Sequence, residues 1–148
     1  MRRWLMLLVC GLPACAAGPL QPNAIDPAND ACSHCRMIVS DPRVAAQILR
    51  PGDEPLMFDD IGCLRDYLAS RDVAPDAALF VADHRTGAWV PATEAVYTRS
   101  EAFRTPMGGG ILAHADHGSR KLDPATEGGE AVSAGEVLGG SAATGARR

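Results

Sequence analysis

Short apolar runs broken by turn residues dominate the middle of this chain. Met37-Ile38-Val39 and the run from Val44 to Leu49 flank Ser40-Asp41-Pro42, a turn signal, and predict a hairpin. Leu56-Met57-Phe58 reads as a short strand. Apolar residues then recur at Ile61, Leu64 and Leu68 behind Asp59-Asp60, the spacing and acidic cap of a helix over about 60–70. Ala78 to Ala82 is a strand. Ala88 to Val90 and Ala95 to Thr98 are weaker strands around Pro91, and Gly108-Gly109-Gly110 is a flexible turn into Ile111-Leu112-Ala113. The sum is a small α+β domain, richer in strands than in helices, with one main helix.

The two ends have a different character. Residues 1–15 carry Arg2 and Arg3, then a short apolar stretch from Trp4 to Val9, which is the layout of a secretory signal and too short to span a bilayer. The stretch closes on Leu12-Pro13-Ala14-Cys15, which resembles a bacterial lipobox and predicts lipidation at Cys15. The alternative is an ordinary signal cut near Ala16 or Ala17. Ala16, where the familiar sorting pattern would carry Asp for retention, predicts a periplasm-facing lipoprotein of the outer membrane. Residues 16–30 are rich in Pro and Ala and read as a linker. Residues 119–148 hold six Gly, six Ala and three Ser and no aromatic, Cys, Met or His, so they predict a disordered tail. The working domain is then about 31–118.

Aromatics are only 5% of the 148 residues, so the core must come mostly from Val, Ile, Leu and Ala. The net charge of −4, which becomes −6 once Arg2 and Arg3 leave with the signal, provides no basic surface for nucleic acid. No apolar run approaches the roughly 18 residues of a membrane-spanning helix, which argues against a polytopic transporter. With Cys10 and Cys15 assigned to the leader, three thiols remain, Cys32, Cys35 and Cys63, together with Met37, Met57 and Met107. An odd thiol count does not suit a closed disulfide framework in an exported chain. Cys63 falls near the start of the predicted helix, where unpaired N–H groups favour thiolate.

Thiolate and thioether donors select Cu(I) over hard cations. Three thiols cannot make a four-cysteine zinc site. His84 precedes Arg85-Thr86-Gly87 and reads as surface. His114 and His117 are close enough in sequence to share a metal, but most simply form a solvated loop end. Asp59 and Asp60 read as helix caps. Cys32-Ser33-His34-Cys35 is also compatible with a thiol–disulfide oxidoreductase, the competing function. Its position argues against that, because Pro27 to Asp30 precede it where a redox pair would follow a core strand and open a helix.

The ordered set of lipobox, C-x-x-C-x-M at Cys32 to Met37, Phe58-Asp59-Asp60-Ile61-Gly62-Cys63, and Thr105-Pro106-Met107-Gly108 resembles the NosL family, the accessory lipoproteins of nitrous oxide reductase. Arg36 stands where the family motif usually carries Gly. The resemblance covers about residues 31–115. It implies a fold of paired ββα-type units, also seen in an organomercurial lyase. It implies a Cu(I) chaperone rather than an enzyme, with nitrous oxide reductase or its assembly complex as recipient. Carried over by position, Cys63 and Met107 are the leading copper ligands, followed by Cys32, Cys35 and Met37. Two arrangements stay open. Cu(I) sits on Cys63 and Met107 with a third donor from elsewhere, or Cys32 and Cys35 either join that site or pair as a disulfide.

Overall fold

The computed structural model describes residues 18–142; the leader expected over 1–15, Cys15 included, lies outside the described residues. The elements are β1 (Ala46–Leu49), β2 (Leu56–Phe58), α1 (Ile61–Ser70), β3 (Ala78–Ala82), β4 (Trp89–Pro91), β5 (Val96–Arg99), β6 (Ile111–His114), α2 (His117–Lys121), β7 (Glu130–Val132) and α3 (Ala134–Ala142). Short 3₁₀ turns cover Pro42–Val44 and Pro124–Thr126. The α+β expectation with one main helix holds.

The strands form two antiparallel sheets, ordered β2-β1-β3-β4 and β6-β5-β7, joined by a bridge between Asp83 and Ala113. Each sheet begins with an antiparallel pair, passes through a helix and returns with a strand on the other side of the pair's first member. In the first unit that is β1-β2-α1-β3, and in the second β5-β6-α2-β7. The ββα units implied by the resemblance are therefore present twice, each closed by a further strand.

The hairpin expected across Ser40-Asp41-Pro42 does not form. Asp41 instead caps the Pro42–Val44 turn, its carboxylate accepting from the Arg43 N–H at 3.0 Å. Pro42 fits the first position of such a turn, where no N–H is needed. The chain is redirected, β1 pairs with β2 and β3, and residues 37–39 fold back on 30–32. There the Cys32 N–H donates to the Met37 carbonyl at 2.8 Å and the Val39 N–H to Asp30 at 2.9 Å.

Both expected boundaries also move. The linker is docked from about residue 23. The Gln47 side chain, fully buried, accepts from the Asn23 N–H at 2.9 Å and donates to the Asn23 carbonyl at 2.8 Å, and Ile25 packs on Val39, Ala45 and Met57. The domain does not stop at 118. β7 pairs with β5, and Val132, Val137 and Leu138 join the main core beside Ile48, Phe58, Ile61, Leu64 and Tyr97. The glycine content that reads as disorder is partly a packing requirement. A Cβ on Gly129 would lie 2.6 Å from the Thr98 methyl and 2.8 Å from the Arg99 carbonyl, so only glycine brings the tail this close to β5. Three well-placed apolar side chains then suffice to hold a segment of unpromising composition.

Candidate metal centre

Two segments build the centre. The first is the turn at 32–36. It is closed by the Arg36 N–H donating to Cys32 O at 3.0 Å and tied to the end of β2 by the Ser33 N–H donating to Met57 O at 2.7 Å. The second is the junction of β2 and α1. Asp60 is the N-cap, its carboxylate accepting from the Gly62 N–H, and Cys63 is the third residue of the helix. The Ser33–Met57 bond brings the first segment onto the second. As a result one donor atom each from Cys32, Cys35, Cys63 and Asp59 lie within 4.8 Å of one another. Cys32, Cys63 and Asp59 are buried and Cys35 is half-buried; all three thiols are free.

The electrostatics differ from the sequence expectation. Cys63 does sit in the first turn of α1, yet its thiol is pushed far up rather than down. Burial is the main cause, reinforced by Cys32 and Asp59 beside it. Burial likewise raises Cys35, whose Sγ lies 3.5 Å from Asp59 Oδ1. The helix dipole is outweighed, because a thiolate there would be desolvated next to other anionic groups. Burial thus favours the thiol form of Cys35 and Cys63, and a cation binding them displaces protons. Asp59 Oδ2 is buried with no hydrogen-bond partner, an atom the rest of the fold does not use.

Met107 lies on the loop that reaches α1 from the second unit. Its backbone N–H donates to Asp60 Oδ2 at 3.1 Å, so one carboxylate both caps the helix of Cys63 and fastens the Met107 segment. Glycines permit this approach. A Cβ on Gly109 would be 3.3 Å from Asp60 Oδ1 and 3.6 Å from Gly62 Cα. The Met107 side chain is 47% exposed, and Met37, on the turn that carries Cys32 and Cys35, is 51% exposed. The structure thus gathers Cys32, Cys35 and Cys63, fastens Met107 by its backbone to the same helix start, and leaves Met37 at the surface.

Asp59 is the member that sequence reasoning missed, having been read as a second cap. A helix needs one N-cap, and Asp60 occupies that place, so the spare carboxylate one residue earlier was the available signal. Arg36 adopts φ 70°, the left-handed region that glycine favours. The turn therefore follows the glycine-type path although Arg stands there.

A small α+β domain that gathers three thiols and a carboxylate at the start of one helix defines the class: a cysteine-rich domain with a candidate metal centre. Within that class the sequence pattern of the NosL family matches residues 22–140, and the chain belongs to this family of copper-binding accessory proteins connected with nitrous oxide reductase. The match runs well past residue 118, in agreement with the ordered β7 and α3. No curated protein and no solved structure gives a significant match to the chain.

Proposed function

We propose that this protein carries Cu(I) and hands it to a cuproenzyme under assembly, nitrous oxide reductase or its assembly complex, from a lipid anchor at Cys15 on a membrane facing the periplasm. The observation that carries the reading is the convergence of three thiols at a helix start to which the backbone of the exposed Met107 is also fastened. Three thiolates form a site of the softness that Cu(I) selects. Met107 adds a donor that is uncharged at every pH and forms no disulfide. In this reading Cys32, Cys35 and Cys63 hold the ion and Met107 is the surface ligand. It takes the ion in and is the first to let go, and a recipient with more soft donors completes the exchange. Gly110 packs tightly, its missing Cβ lying 2.6 Å from the Ser100 carbonyl, and its N–H donates to Thr105 Oγ1 at 3.1 Å. Rotation of the Met107 side chain, rather than a swing of the whole glycine run, supplies the motion. Met37, exposed on the opposite segment, is the candidate second thioether.

The geometry favours the copper reading over the oxidoreductase alternative. Cys32 and Cys35 lie in a turn and not at a helix start, and burial raises the Cys35 thiol where a redox cysteine needs it lowered. One observation favours a second occupant of the same cluster. Asp59 offers a hard oxygen with no partner, and three sulfurs with one oxygen match tetrahedral Zn(II).

Competitive Cu(I) titration against a chromogenic chelator, with and without prior loading with Zn(II), tests the proposal. It is run on the wild-type chain, Cys63→Ser, Met107→Ile and the Cys32→Ser/Cys35→Ser double variant. The expected order of Cu(I) affinity is wild type, then Met107→Ile lower by about tenfold, the size of one lost ligand worth roughly 1.4 kcal/mol, with the cysteine variants lower still. Equal affinity and stoichiometry in all four would overturn the ligand assignment. Failure of Cu(I) to displace Zn(II) would make the cluster a zinc site and end the copper reading for it.

A further inference from the structure

A second donor cluster lies where the second ββαβ unit meets the segment after β3. His114 is the last residue of β6 and fully buried, His84 follows β3 and is 6% exposed, and Asp123 caps the 3₁₀ turn after α2 and is 6% exposed. His84 Nδ1 lies 2.6 Å and His114 Nε2 lies 2.9 Å from the same oxygen, Asp123 Oδ2. The three donor atoms lie within 4.8 Å of one another. This corrects two expectations at once. His84 is not a surface residue, and His114 pairs in space with His84 and not with the exposed His117.

We infer that His84, His114 and Asp123 form a second metal site, selective for a divalent borderline cation of the Zn(II) type and separate from the thiol cluster. The geometry fits such an ion. Zinc bonds to imidazole nitrogen and carboxylate oxygen of about 2.0–2.2 Å place tetrahedral donors roughly 3.3 Å apart, so the two short contacts need to open by well under 1 Å. The chemistry fits as well. Two imidazoles and a carboxylate are hard enough to discriminate against Cu(I), which the thiols take, so one chain sorts two ions by donor softness.

Among the described residues Asp123 has no Arg or Lys within ion-pair distance; its partners are the two imidazoles. Its second oxygen accepts from the Ala125 N–H at 2.9 Å. A buried carboxylate without a permanent positive partner is costly, and a divalent ion supplies that charge. His84 Nε2 and His114 Nδ1 are buried with no hydrogen-bond partner, so the rings are not held by bonds on their outer sides. Without metal the two nitrogens facing Asp123 carry the protons, since an ionised carboxylate only accepts. On binding, each of those nitrogens gives its lone pair to the ion and the proton is found on the outer nitrogen of the same ring. Phe103 covers His84 edge-on, with ring centroids 4.5 Å apart, and lies on the segment that leads to Met107.

The test uses the full wild-type chain labelled with ¹⁵N-histidine and titrated with Zn(II) beyond two equivalents, so that the thiols are filled whichever site binds first. The expected result is that His84 Nδ1 and His114 Nε2 move to metal-bound shifts, while the exposed His34 and His117 keep theirs. Total zinc uptake is two equivalents. It falls to one in His114→Gln and stays at two in His117→Gln. Unchanged His84 and His114 resonances at excess Zn(II) would overturn the inference, with no variant needed. So would two equivalents retained by a folded His114→Gln chain. Either result leaves the thiol cluster, read from Cu(I) competition, untouched.

Discussion

Arg36 is the residue whose backbone and side chain disagree. At φ 70° it occupies the left-handed region, which costs a residue with a Cβ on the order of 1–2 kcal/mol. The turn holds it there, because its N–H closes the loop onto Cys32 O and Cys35 must face Asp59. Arg36→Gly removes that strain and adds a comparable loss of chain entropy, so its stability stays within about 0.5 kcal/mol of wild type. Arg36→Val, whose branched Cβ tolerates this region least, loses at least about 1 kcal/mol. Chemical denaturation of the three chains measures both. Equal stability of the Val and Gly variants would show that the turn relaxes to another path.

At the scale of elements, the strand at 56–58, the helix after it, the strand at 78–82 and the strands from 89 to 114 were legible in the sequence. Each is an apolar run bounded by Asp, Pro or Gly, and each buries its apolar positions locally. The hairpin at 37–49 was misread because Asp41-Pro42 serves equally as a hairpin turn and as the start of a 3₁₀ turn, and only the pairing of β1 with β3 decides between them. Asp59, and the partnership of His84, His114 and Asp123, were hidden for a different reason. Convergence of distant segments is a tertiary property, and 39 residues separate His84 from Asp123. What was visible was the type of donor, not the company it keeps. Asp60 shows how such company is fixed, since it joins the helix of Cys63 to the loop of Met107. Asp60→Ser keeps a competent N-cap and loses the bond to the Met107 N–H. It is expected to cost about 1 kcal/mol of stability and to lower Cu(I) affinity three- to tenfold through a misplaced thioether. Chelator competition beside a denaturation curve separates the two effects. Wild-type Cu(I) affinity in Asp60→Ser would mean that the Met107 segment is held in place by other contacts.

The described residues fold as two ββαβ units, the first extended by β4, that share a main core, and each candidate centre takes a donor from the junction where a unit's second strand passes into its helix. β2 ends at Phe58 with the cap Asp60 two residues on; β6 ends at His114 with the cap Asp116 two residues on. Composition hides this repeat, because the second unit is completed by the glycine-rich segment after residue 118. That segment is the strand partner of β5 and, through α3, a cover for α1, the helix that carries Cys63. Val137 and Leu138 are each 1% exposed, and burying side chains of this kind is worth roughly 1.5–3 kcal/mol apiece. A chain ending at Ser133 therefore loses about 3–6 kcal/mol, a large fraction of the roughly 5–15 kcal/mol that holds a typical domain. A chain ending at Gly118 also gives up β7, leaves the Thr98 edge of β5 unpaired and loses cooperative unfolding altogether. Calorimetry of the two truncations against the full chain reads both outcomes. A Gly118 truncation that melts cooperatively near the full chain's midpoint would reduce the second unit to an appendage and detach the stability of the thiol centre from it.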